Sequence, residues 1–160
     1  MSLQASASGK PLPAELIVLS SGEEGLVFEL TVPDFELQPG SDGQHYSQLL
    51  NVPRLDQSLE GGKPQLPLKG VMIGVPADAE FTLTVLEDEK VVLKDTYDIQ
   101  PVGIQERMSD EFQPGTVMYQ PDEGVYSSSR PYPAAVVSMA QPAWIREQRV
   151  LQVSIYPFQY

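Results

Sequence analysis

The sequence predicts an all-β fold, an antiparallel β-sandwich of about seven to nine strands with long loops. Three observations carry this. Fifteen prolines are spread over the 160 residues, against an average usage of about 5%, and each removes a backbone donor and steers the residue before it away from helix. Apolar residues alternate with polar ones at period two in several short runs. Gly and Pro close each run, and nowhere does an apolar stripe recur at helical spacing.

The elements follow in chain order. Residues 1–10 lack both a basic n-region and an apolar h-region, so they read as a tag-like mobile tail rather than a signal peptide. Residues 11–160 read as one domain, the size expected of a single core. Leu16-Ile17-Val18-Leu19 forms a strand that ends in a Ser20-Ser21-Gly22 turn, and Leu26, Phe28, Leu30 and Val32 alternate along its partner. Val71-Met72-Ile73 is a short apolar strand stopped at Pro76. The longest proline-free run, 77–100, alternates too. Phe81, Leu83 and Val85 face one way, Glu87-Asp88-Glu89-Lys90 makes a charged turn, and Val91-Val92-Leu93 returns as a hairpin partner. Ala135-Val136-Val137 and residues 150–156 supply two more strands. Residues 36–60 and 105–133 fit no period and read as long loops, the second being the place to look for function.

Composition narrows the function classes. Ten basic residues against 22 acidic give a net charge of −12, which repels nucleic acid and anionic lipid. No window is long and apolar enough to span a membrane. The absence of cysteine excludes disulfides, thiolate metal sites and cysteine nucleophiles from this chain. The one histidine, His45, sits in a polar loop with no G-x-S-x-G elbow around any serine, and zinc wants several such ligands. Glu87-Asp88-Glu89 lacks the spaced oxygen ligands of a calcium loop and reads as a solvated tip. Pairs of carboxylates suited to glycoside hydrolysis always occur among 22 acids, so they carry no signal. No catalytic residue, metal or cofactor is expected. Charge is also uneven. Residues 1–124 hold 7 basic and 21 acidic side chains, whereas beyond them Arg130, Arg146 and Arg149 face only Glu147, an asymmetry able to steer a partner.

Two segments carry a motif. One is Gly61-Gly62-Lys63-Pro64-Gln65-Leu66-Pro67, followed by a strand ending at Val75-Pro76. The other is Tyr132-Pro133, then Trp144-Ile145-Arg146-Glu147-Gln148-Arg149 leading a last strand into Pro157-Phe158-Gln159-Tyr160. Physically, Gly61-Gly62 permits a positive-φ turn, Pro64 and Pro67 hold an extended approach, and Arg146 and Arg149 satisfy carbonyls or acids at a sheet edge. Together, in this order and over about residues 50–160, they resemble the N-terminal propeptide of gingipain-type C25 cysteine peptidases. Glu147 stands where that family often has Gly, which bears on the turn there.

The resemblance implies a non-catalytic, secreted β-sandwich prodomain. It would bind, help fold and inhibit a C-terminal peptidase domain until proteolysis, with the structural motif made by Gly62, Pro64, Leu66, Pro67, Pro76, Arg146, Arg149, Pro157 and Tyr160. Inhibition in that family uses a loop whose basic side chain fills the S1 pocket, and an arginine there pairs a buried acid in bidentate fashion. Arg107 and Arg130 are the candidates here, and Pro131 would protect the Arg130 bond from cleavage. The rival expectation is a secreted binding module for carbohydrate or protein, with Tyr119, Tyr126, Tyr132 and Trp144 as a stacking platform.

Overall fold

The computed structural model describes residues 10–40, 48–105 and 117–160. Among them are eleven strands in antiparallel ladders and a single helical turn, and no barrel closes. The chain is all-β and sandwich-like.

The largest sheet has five strands. β11 (Gln148–Ile155) lies at its centre against β6 (Pro67–Val75), pairing Leu151 with Ile73 and Val153 with Val71. β10 (Ala143–Ile145) and β9 (Val137–Met139) share the far edge of β11, and β5 (Asp56–Gln57) closes the β6 edge. Alternation sets the faces. Leu151 and Val153 are buried, while Gln152 between them and its partner Met72 are exposed.

Three two-stranded ladders complete the fold. β1 (Glu15–Gly22) pairs with β2 (Gly25–Thr31) as the alternation foresaw, with a register shift between Val18 and Ser20. The expected Ser20-Ser21-Gly22 turn is instead strand, and the chain reverses at Glu23-Glu24 before Gly25. β3 (Glu36–Pro39) pairs with β4 (Gln48–Asn51), and β7 (Ile104–Gln105) with β8 (Val117–Met118). α1 (Glu123–Tyr126) is capped by the Asp122 side chain.

The core is Ala14, Phe35, Leu50, Val52, Leu66 and Ile99, with Tyr97, Tyr132, Phe158 and Tyr160 packed against it. Phe35 is fully enclosed and meets Phe158 edge-on at 5.6 Å between centroids. Two expectations are corrected here. Residues 36–60 are not a long loop: they hold β3, β4 and β5 and supply Leu50 and Val52 to the core. The hairpin expected over 81–93 does not form, since no backbone hydrogen bond joins Phe81-Leu83-Val85 to Val91-Val92-Leu93. Its Glu87-Asp88-Glu89-Lys90 corner lacks the Asn-Gly type of turn that matches strand twist. Little of it meets a core either: Leu93 packs against the core cluster, while Leu86 and Val92 are 71% and 90% exposed. The strand expected at Ala135-Val136-Val137 begins two residues later, as β9.

Candidate functional site

The first motif is a crossing point rather than a loop. Gly61-Gly62 turns the chain at a φ of 78° for Gly62, and the next four residues run alongside the segment from Ile99 to Gly103. Gln65 N–H donates to Gln100 O at 2.9 Å, Val102 N–H donates to Lys63 O at 2.8 Å, and Gly62 N–H donates to Val102 O at 2.9 Å. On the other side Ser58 Oγ takes the Leu66 N–H at 3.0 Å and donates to Pro64 O at 3.2 Å. Pro64 and Pro67 are wholly enclosed. Neither proline has an N–H to satisfy, which makes the pair suited to a buried crossing where donors are costly.

This crossing bears on the chain that leaves at Gly103 and returns at Tyr119. A Cβ added to Gly61 would stand 2.9 Å from Ile104 Cγ1, and one on Gly62 would stand 3.0 Å from Gln120 O. Gly103 is as crowded: a Cβ there would overlap Val117 Cγ1 and lie 3.2 Å from the Tyr119 ring. Gly62 O accepts the Asp122 N–H at 2.9 Å. Lys63 Nζ and Asp122 Oδ2 close the junction as an ion pair at 2.6 Å. The hydrogen bond from Lys63 holds the Asp122 carboxyl below its ordinary value, and the same bond raises the Lys63 ammonium above its own.

The second motif converges on the same place. Tyr132 and Tyr160 exchange backbone hydrogen bonds at 2.9 and 2.7 Å, and Gln159 Nε2 donates to Pro133 O at 2.7 Å. The Tyr132 hydroxyl donates to Glu60 Oε2 at 3.0 Å, while Lys63 Nζ lies 5.9 Å from its ring centre. Burial, and then that bond to an acid, push the Tyr132 phenol well above its ordinary range. The Tyr160 ring rests against Tyr126 at 5.1 Å, and the Tyr126 hydroxyl donates to Ile99 O at 2.9 Å. The end of the chain is thus tied to the crossing through Tyr132 and Glu60.

Pro76, Arg146 and Arg149 sit at one corner of the large sheet, whereas Pro157 follows the far end of β11. Arg149 Nη1 donates to Pro76 O, Ala77 O and Ala79 O at 3.1, 2.8 and 3.0 Å, and its guanidinium stacks on Phe81 at 5.2 Å. That fixes where the 77–98 arm leaves the sheet. Arg146 forms the two-residue turn between β10 and β11 with Glu147 and takes a φ of 58°. The left-handed position is therefore Arg146, and Glu147 in place of Gly does not disturb the turn.

Of the two inhibitory candidates, Arg130 is exposed in the turn after α1, where its backbone N–H donates to Ser128 Oγ at 3.0 Å. Among the described residues its guanidinium pairs with no acid. Arg107 and His45 lie outside the described residues. Of the aromatic residues considered for stacking, Tyr119, Tyr126 and Tyr132 are half-buried and Trp144 is exposed, and the Tyr126 and Tyr132 hydroxyls donate to Ile99 O and Glu60 Oε2. No cluster of metal-ligating side chains occurs among the described residues, and no helix is long and apolar enough to cross a membrane. Glu60, Gly103 and Asp122 escaped the sequence reading, because each matters only through a neighbour distant in the chain.

Comparison with known proteins agrees with the motifs. No curated protein sequence matches this chain. In fold it is similar to the Porphyromonas gingivalis RgpB structure described as a complex of pro- and mature domains. The TM-score is 0.73 at 18% identity, over 91% of this chain and 74% of that one. It is equally similar to a structure on the zymogenic latency of gingipain K from the same organism, with a TM-score of 0.74 at 15% identity, over 94% and 84% of the two chains. The family model Propeptide_C25 matches residues 7–160. A chain so organised belongs to the propeptide family of C25 peptidases, and is the non-catalytic prodomain of a zymogen.

Proposed function

We propose that this prodomain binds the catalytic domain of its own gingipain-like cysteine peptidase, assists its folding and inhibits it until proteolytic activation, in a secreted protein. The observation that carries the reading is the family match over nearly the whole chain. It is supported by likeness in fold to chains solved as pro- and mature complexes or as latent zymogens.

The inhibitory chemistry rests on a basic side chain presented to the S1 pocket. Arg130 is exposed, has no acidic partner among the described residues and is followed by Pro131. A guanidinium in that state offers its full donor fork to a buried carboxylate, and the proline removes the N–H of the bond a peptidase would cut. Arg107 is the second candidate. Both require a peptidase specific for basic residues.

The test is titration of the separately produced cognate catalytic domain with the 160-residue prodomain. Tight inhibition is expected, weakened at least a hundredfold, as for a buried charged anchor, by Arg130→Ala or Arg107→Ala, with unchanged thermal unfolding. Undiminished inhibition by both variants would remove the S1-plug reading. No binding at micromolar concentration would remove the proposed inhibition of the catalytic domain, and a glycan screen would then test a separate binding role.

A further inference from the structure

We propose that the cleft between the β1–β2 hairpin and the start of β6 is a docking point for the catalytic domain, taking a carboxylate side chain beside an apolar neighbour. The proposal rests on the inhibitory reading above and is separate from the S1 contact. The cleft holds about 290 Å³, room for one or two side chains and just short of a small-molecule site. Leu16 and Leu30, a cross-strand pair of the hairpin, line it together with Leu55. Arg54 and Lys69 line it as well. Lys69 Nζ donates to Arg54 O at 3.4 Å, which brings the ammonium beside the arginine backbone.

The two cations are not neutralised from within. Glu15 is the one acid in the lining, and no ion pair joins it, or any other acid among the described residues, to Arg54 or Lys69. Positive charge is therefore in excess at this cleft of a chain whose net charge is −12. A carboxylate completes such a pair of donors, and the leucine walls suit an aliphatic group next to it. A second copy is a poor occupant, because two chains of −12 repel. The catalytic domain is the partner that the inhibitory reading supplies.

Arg54 is also held against its own preference. Its φ is 70°, in the left-handed region that costs a residue with a Cβ roughly 1–2 kcal/mol. The turn around it is fixed from both sides. Val52 is buried, Leu55 packs on the core, Leu55 N–H donates to Val52 O at 3.2 Å, and Ala14 N–H donates to Pro53 O at 3.0 Å. Glycine or asparagine would fill position 54 with less strain. The Arg54 side chain is exposed, so core packing gives no reason for an arginine there. Strain kept at an exposed cation points to a binding role.

The experiment titrates the cognate catalytic domain with the wild-type prodomain, Arg54→Asn and Lys69→Met, reading affinity, its salt dependence and Tm. Asn tolerates the left-handed turn, and Met keeps the aliphatic stem of Lys69. Arg54→Asn is expected to match or exceed the wild-type Tm while binding about tenfold more weakly. Lys69→Met should weaken binding by a similar factor, with Tm within about 3 °C of wild type. Both should bind with a shallower dependence on salt. If the wild-type domain binds and both variants bind equally well, the docking point is overturned while the inhibitory reading stands. A Tm loss in both variants that accounts for the weaker binding assigns the cations to folding and overturns it too. Micromolar binding of N-acetyl-leucine at the cleft, with affinity for the catalytic domain unchanged in the variants, would make the site one for a free carboxylate instead. If the wild-type domain does not bind at all, the inhibitory reading fails and the docking point falls with it.

Discussion

Gly61 and Gly62 are adjacent and identical, yet the structure assigns them different costs of substitution. Gly62 has a φ of 78° and faces a backbone carbonyl, which cannot move aside. Gly62→Ala is therefore expected to lower stability by about 1–3 kcal/mol. Gly61 faces only the Ile104 side chain, which can rotate, so Gly61→Ala should cost well under half as much. Urea unfolding of the two variants checks the difference; equal costs would mean that the Gly62 turn relaxes. Tyr132 gives a residue-scale prediction in pH. Burial and the bond to Glu60 keep its phenol protonated when the folded chain passes the ordinary tyrosine value of 10.0. The unfolded chain loses that proton first, so the contribution is whole below about pH 10 and declines as pH rises beyond it. The slope is at most about 1.4 kcal/mol per pH unit, reduced by solvent because the ring is only half-buried. Tyr132→Phe should flatten the fall in stability between about pH 9 and 11. An unchanged slope would assign the alkaline loss to other groups.

At the scale of elements, period-two alternation described strands wherever a partner lay near. It found β1, β2, β6 and β11, but at 81–93 the same pattern yields extended chain without a ladder. Alternation records which residues are able to line a face, whereas a hairpin also needs a turn of matching twist and something to bury that face. Residues 81–93 lack the turn, and only Leu93 among them packs against the core, while Arg149 pins the start of the arm. Amides from Phe81 to Val92 should therefore exchange within the unprotected range, while those of Leu151 and Val153 in the centre of the large sheet exchange orders of magnitude more slowly. Strong protection in the arm would show a ladder there in solution. The reverse error occurred at 36–60. Its apolar residues are interrupted by Pro39, Pro53 and many polar positions, so no period is visible, yet β3 and β4 pair and place Leu50 in the core beside Phe35 and Ile99.

For the molecule as a whole, the acidic balance, the lack of cysteine and the all-β pattern were legible from residue counts and spacing, because they depend on no particular contact. The two motifs were legible as a family resemblance, and the family match now covers residues 7–160. Their physical roles were only half legible: Gly61-Gly62 read as a turn, which the structure places at Gly62, and Pro64 and Pro67 as an extended approach, since glycine's freedom and proline's restriction act locally. What the tertiary structure alone decided is that the two motifs meet. Glu60 reaches Tyr132 across 72 residues and Lys63 reaches Asp122 across 59. Sequence determines the conformations a short segment favours, through sterics and missing donors that act within a few residues. Which distant segments then satisfy one another's polar groups is set by how the whole chain closes around Phe35, where burial makes each unpaired group costly and so selects one arrangement.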